Sequence, residues 1–186
     1  GALGFTVRFE SLLLHTTTAS NNFLQANGVA PVKAEPNYVE KKRNAIIFDK
    51  KRGTRFTANI QIKTNSGKIT NTDSSLSLAN ATEATIYISM ATSFNGYDKD
   101  PAKQGLNQTT IAQTQLTKAL NLGWDEIKKR HVKDYQTYFN RVALKLEGDP
   151  SPNLPTNERL KRYAKGESDP YLETLYFQFG RYLLIS

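Results

Sequence analysis

The sequence predicts an α+β fold, a partial antiparallel β-sandwich followed by helices, and three observations predict it. Apolar residues recur at a period of two up to about Ser93, then at three- and four-residue steps from about Thr110 onward, and no helical period interrupts the strand region. Strands first and helices after disfavour a parallel α/β sheet, in which the two alternate.

Phe5, Val7 and Phe9 alternate with Thr6, Arg8 and Glu10, the pattern of a half-buried strand. The stretch from Gly28 to Arg43 carries Pro31, Pro36 and several charges, and reads as a loop or irregular edge. Next, Phe56, Ala58, Ile60 and Ile62 point one way while Thr57, Asn59, Gln61 and Lys63 point the other, so one face is expected on a core and one in water. Asn65, Ser66 and Gly67 supply hairpin chemistry, with Lys68 to Thr70 as the returning strand. Leu76 and Leu78 mark a short strand, and Ile86, Ile88 and Met90 alternate with Thr85, Tyr87 and Ser89 in another.

After a polar loop from Asn95 to Pro101, Thr110 and Gln113 have capping-box spacing, and Ile111, Ala112, Leu116, Ala119 and Leu120 form one helical stripe. A second helix is predicted from Trp124, Ile127, His131, Tyr135, Tyr138 and Val142, with Trp124 in the core. Ala143 to Glu147 returns briefly to a strand pattern. Thr156 is the expected N-cap of a short helix with Glu158 in its first turn, ending near Gly166. Asp169 and Pro170 start a last helix whose buried face is Leu172, Leu175, Tyr176, Phe179 and Leu183, and Gly180 suggests close approach by another element.

A chain of 186 residues with 38% hydrophobic content, 9 Phe and 9 Tyr can bury a core, which excludes wholesale disorder. The absence of cysteine excludes a disulfide framework, a cysteine nucleophile and a thiolate zinc site. No apolar run approaches the ~18 residues of a membrane span. The net charge of +8 is spread over short clusters, Lys41 to Arg43, Lys50 to Arg52 and Lys128 to Arg130, which read as solvated surface rather than a nucleic-acid footprint. Neither nucleic acid nor membrane is expected as a partner. Both ends read as cut: the chain opens inside a strand pattern without an initiator Met and stops inside the apolar run Tyr182 to Ser186.

Chemistry is sparse. His15 and His131 have no third ligand at metal spacing and read as packed or surface residues. Asp98 and Asp100 read as turn residues, and Asp134 either orients His131 or faces solvent. Gly53, Gly67 and Gly96 are isolated turn glycines, with no phosphate-binding loop. Tyr38 and Tyr97 have the character of sugar-stacking residues, which keeps open a stand-alone carbohydrate-binding sandwich. On residues alone no catalytic, cofactor-binding or metal-binding residue is assigned, and no cofactor is expected.

More specific are the runs RHVKDY at 130–135, FNRVALKL at 139–146, LPTNERL at 154–160, Asp169 with Pro170, and LYFQFGRYLLIS at 175–186. Together with ATEA at 81–84 and ATSF at 91–94, they resemble glycoside hydrolase family 95, the α-L-fucosidase type. The resemblance covers most of residues 54–186 and implies a parent with a large N-terminal super-sandwich, a helical linker and a catalytic (α/α)6 barrel. Residues 1–94 would be the C-terminal part of the sandwich, 95–168 the linker with a short strand, and 169–186 the first barrel helix. The family hydrolyses α-L-fucosides, in some members α-L-galactosides, with inversion. Its acid is a glutamate and its base a water held by asparagines and an aspartate, all on the barrel, so the resemblance places no catalytic residue here. It implies a structural role, packing the sandwich against the barrel and helping to shape the pocket rim. The implied partners are the parent's own barrel and a fucosylated glycan, and the implied location is secreted or periplasmic. Leu175, Phe179 and Leu183 would be exposed without the barrel, so self-association of the piece is expected.

Overall fold

Alternation of apolar and polar residues becomes, in the computed structural model, two antiparallel sheets that share one core. Residues 2–36, 38, 43–148 and 153–185 are described; Lys41, Lys42 and Ser186, included in the expectations above, lie outside them. In chain order the elements are β1 (Leu3–Arg8), β2 (Leu14–Ser20), β3 (Phe23–Val29), β4 (Lys33–Ala34), β5 (Ile46–Ile47), β6 (Arg55–Lys63), β7 (Lys68–Asn71), β8 (Ser75–Ala81), β9 (Thr85–Thr92), α1 (Gln108–Phe139), α2 (Thr156–Tyr163) and α3 (Pro170–Ile185). The α+β class stands. The chain forms two units, residues 1–124 and 125–186.

In the first unit, one sheet has the order β1-β8-β7 and the other β2-β3-β6-β9, with β4-β5 a small ladder beside them. Leu24, Ile60 and Ile62 of the four-stranded sheet meet Leu76, Leu78 and Ala81 of the three-stranded one in a shared core, flanked by Phe5, Val7 and Ile69. The apolar face read from β6 is therefore correct. Its opposite face is not in water as expected: Thr57 and Asn59 are both 0% exposed. The first part of α1 lies on that face, where Thr57 Oγ1 is 3.0 Å from Thr109 Oγ1 and Ser89 Oγ donates to the Ala112 carbonyl at 2.8 Å. Ala112 and Leu116 are its buried residues. A strand in the middle of a sheet, with a second sheet on one side and a helix on the other, is buried on both faces whatever its polarity.

The same geometry inverts β9. Tyr87 and Ser89 are buried under α1, whereas Ile86, Ile88 and Met90 are 43%, 63% and 60% exposed. They pair with Ile62, Ile60 and Ala58 and so lie on the core-facing side. The three-stranded sheet reaches the other through β8 across β2 and β3, and β9 at the far edge is left uncovered.

Several expected connections change. Asn65, Ser66 and Gly67 do not close a hairpin, because β6 and β7 lie in different sheets and β7 pairs with β8. Gly67 makes that crossing at φ +80°, and a Cβ there would sit 2.4 Å from the Ala79 carbonyl. Gly67→Ala is expected to destabilise the first unit by about 2 kcal/mol, read as a lower urea midpoint at unchanged slope. The β2-β3 hairpin, with Asn21 at φ 55° in its turn, had no expectation of its own.

Helix starts also differ. The cap of α1 is Asn107, whose Oδ1 accepts from Thr110 N at 3.0 Å, and not the Thr110–Gln113 box. Thr156 lies inside α2, with Pro155 at the cap position and no side-chain cap bond. Within α1, Gly123 has φ 75° and ψ 166°, a conformation almost confined to glycine, and breaks the helix.

In the second unit, α1 ends at Phe139, short of the expected Val142, and residues 142–148 form no strand, with no strand among the described residues pairing with them to complete a ladder. The aromatic stripe is only partly covered: Tyr135 is 5.8 Å from Tyr182 of α3 and 5.0 Å from Phe139, while Trp124, placed in the core by the sequence, is 57% exposed. Periodicity marks an apolar face without stating what covers it. Arg181 lies 4.4 Å over the Phe139 ring and donates to the carbonyls of Phe139, the last residue of α1, and of Val142 just beyond it. Nothing lies within 4 Å of a Cβ built on Gly180, so it marks no close approach.

Candidate functional site

Two places gather polar or apolar groups in a form that can bind. The first is at one end of the four-stranded sheet. Thr16, Asn27 and Thr57 are cross-strand partners and share the face carrying α1; by the same register Leu14, Val29 and Arg55 share it two residues away. Across this face runs a chain of side-chain hydrogen bonds. Thr57 donates to Asn27 Oδ1 at 2.6 Å, Asn27 donates to Gln25 Oε1 at 2.9 Å, and Gln25 donates to Asn59 Oδ1 at 3.0 Å. Asn59 Nδ2 is buried without a partner among the described residues. The chain orders amides that would otherwise rotate freely. At its end a cavity of about 510 Å³ is lined by Leu14, His15, Thr16, Asn27, Gly28 and Val29, by Lys50, Arg55 and Phe56, and by Gln108 at the start of α1. Ser93 fixes this corner, its Oγ accepting from Arg55 N at 2.9 Å.

The second place is an apolar groove of about 790 Å³ between α2 and α3, lined by Leu160, Tyr163, Leu172, Leu175, Tyr176 and Phe179. Its frame is the pair Arg159–Asp169. The guanidinium grips the carboxylate with two bonds of 2.8 and 2.7 Å, and Asp169 Oδ1 also accepts from Leu172 N at 3.0 Å, capping α3 as Asp169 and Pro170 predict. The Arg159 hydrogen bonds hold the Asp169 carboxyl below its ordinary value, and the same bonds raise the Arg159 guanidinium. Of the expected buried face of α3 only Leu172 is buried; Leu175, Phe179 and Leu183 are 44%, 54% and 57% exposed.

Of the other candidates, His15 lines the 510 Å³ cavity and the rest stand apart from it. His15 packs edge-on against Phe9 with ring centroids 5.2 Å apart, and its Nδ1 is 2.7 Å from the Leu13 carbonyl. His131 and Asp134 are exposed on α1. Asp98 pairs with Lys99 at 3.1 Å, and Asp100 caps the backbone of Ala102 and Lys103. Tyr38 and Tyr97 are 85% and 99% exposed. Two shallower hollows, of about 420 and 430 Å³, present a single carboxylate each, Asp100 and Asp125. The 510 Å³ cavity has no carboxylate in its lining and the groove has only Glu173. None of these four cavities therefore holds the two facing carboxyls that glycoside hydrolysis ordinarily uses. No cluster of three metal-ligating side chains occurs among the described residues, and no described helix is long and apolar enough to cross a membrane. Arg55 and Gln108 escaped sequence reasoning and Lys50 was read only as part of a solvated cluster; the three are brought together by the fold, and no local motif marks the site.

Sequence similarity, rather than the arrangement of sheets and helices, places this polypeptide among the glycosyl hydrolases. Residues 1–97 match the glycosyl hydrolase family 65 N-terminal domain, and residues 123–186 match the glycosyl hydrolase family 95 catalytic domain. The chain therefore belongs to the glycosyl hydrolases, more than half of it a family 65 N-terminal domain and its last third similar to the family 95 catalytic domain. It is 30% identical along its whole length to alpha-L-fucosidase 2 of Arabidopsis thaliana and 45% identical over 80 residues, 41% of the chain, to a probable alpha-fucosidase A of Aspergillus niger. The matched segments make up 23% and 10% of those two relatives.

Proposed function

We propose that residues 1–186 are the non-catalytic sandwich-and-linker portion of a glycoside hydrolase that cleaves α-L-fucosides, or α-L-galactosides, in carbohydrate degradation outside the cytoplasm. The observation that carries the reading is identity along the whole chain to a relative named for α-L-fucosidase activity, combined with cavities that present no carboxyl pair. The reading divides the chain into the end of a sandwich at 1–94, a linker at 95–168 and a first barrel helix at 169–186. Its partner is the catalytic barrel of the same polypeptide, seated on the apolar face of α3, where exposed Leu175, Phe179 and Leu183 otherwise drive self-association.

The test is release of the aryl group from an aryl α-L-fucoside. The 186-residue chain is expected to show no turnover above buffer, and a polypeptide that continues into a complete family 95 catalytic domain is expected to show it. Hydrolysis by the 186-residue chain, abolished by changing one of its own carboxylates, overturns the proposal.

A further inference from the structure

The cavity at the end of the four-stranded sheet is not used by the reading above, and its lining has a consistent chemistry. Its volume, about 510 Å³, lies within the range of roughly 300–1,000 Å³ common to small-ligand sites. Leu14, Val29 and Phe56 provide apolar surface, His15 provides an imidazole, Asn27 and Gln108 provide amides, Lys50 and Arg55 provide positive charge, and no carboxylate lines it. The nearest acid in sequence, Asp49, is engaged elsewhere, by Arg52 at 3.3 Å and by Lys51 N at 2.8 Å. Among the described residues neither Lys50 nor Arg55 makes an ion pair. Asn27 is held on both sides, accepting from Thr57 and donating to Gln25, so its free lone pair and N–H are oriented before any ligand arrives.

We propose that this cavity binds a saccharide bearing a carboxylate, a uronate-type sugar. Each part of the lining fits a different part of that molecule. Arg55 offers a planar fork that matches a carboxylate, and Lys50 adds a second cation. Asn27 and Gln108 supply donors and acceptors for ring hydroxyls, and Leu14 and Val29 supply surface for the C–H face of the ring. A small inorganic anion would use the two cations and leave the amides and the apolar surface idle. A neutral sugar would leave the cations unanswered. The site lies wholly within residues 14–108 and is independent of where hydrolysis takes place.

The experiment is calorimetric titration of the 186-residue chain with tri-galacturonate, with neutral galactotriose and with inorganic phosphate. Tri-galacturonate is expected to bind, about tenfold or more tighter than the neutral trisaccharide, as loss of a charge-assisted hydrogen bond implies, and more weakly as salt is raised. Arg55→Gln is expected to weaken it by about the same factor. The exposed side chain of Arg55 is replaced while its backbone bond to Ser93 is kept, and an unchanged thermal melt verifies the fold. Asn27→Ala is expected to weaken both trisaccharides. Phosphate binding as tightly as tri-galacturonate, galactotriose binding equally well, or an Arg55→Gln variant with unaltered affinity each overturns the proposal. So does the absence of heat with tri-galacturonate. None of these outcomes bears on aryl fucoside turnover, so the two proposals fail separately.

Discussion

Leu76→Ala is expected to lower the unfolding free energy of the first unit by about 3 kcal/mol or more, whereas Ile88→Ala lowers it by under about 0.5 kcal/mol. Both residues are apolar members of short alternating strands, and sequence pattern ranks them equally. Leu76 is 0% exposed and packs with Leu24, Ile60 and Ile62 from the opposite sheet. Its removal leaves a cavity between two hydrogen-bonded layers that close only partly, so the cavity cost adds to the lost transfer energy. Ile88 lies on the same side of its sheet as that core but is 63% exposed, since no strand of the other sheet covers β9. Its truncation removes little buried surface. Urea denaturation followed by near-ultraviolet circular dichroism measures both. Equal losses would show that β9 is packed as tightly as β8.

Asp169→Asn is expected to weaken the second unit and to reduce its acid sensitivity, and Asp169→Ala to weaken it further. Asparagine keeps a capping oxygen for Leu172 N but loses the charge that accepts both bonds of Arg159; alanine loses cap and charge together. The pH dependence follows from the depressed carboxyl of Asp169. In the unfolded chain it titrates near the ordinary value of about 3.9. In the folded chain it stays ionised to lower pH. Its stabilisation is therefore complete above about pH 4, and is lost as the pH falls from there through the lower folded value. The helical signal of the native protein should decline over that interval, and Asp169→Asn should show no such contribution. Identical acid profiles for the two proteins would remove the Arg159–Asp169 pair as the frame of the groove.

What could be read in advance follows from locality. β1, the apolar side of β6, β8 and the start of α3 are each written in a few consecutive residues, an alternation or the pair Asp169 and Pro170. The burial of Thr57 and Asn59 was not legible, because it depends on α1 arriving from about fifty residues further on and on hydrogen bonds that make a polar face compatible with burial. The hairpin β2-β3 carried no expectation. Turn chemistry at Asn65 to Gly67 was correct as a turn and wrong as a hairpin, since a reversal of direction does not say which sheet receives the returning strand. The candidate cavity depends on the register Leu14, Val29 and Arg55, which only pairing reveals.

The uncovered side of β9 also holds the chain's one sulfur atom. Met90 is the single methionine and is 60% exposed, so peroxide reaches it and converts the thioether to a sulfoxide. Each molecule can gain one such oxygen, visible by mass. The rate of that gain is a built-in gauge of whether anything shields the strand: fast in an open chain, slow once another surface has closed over it.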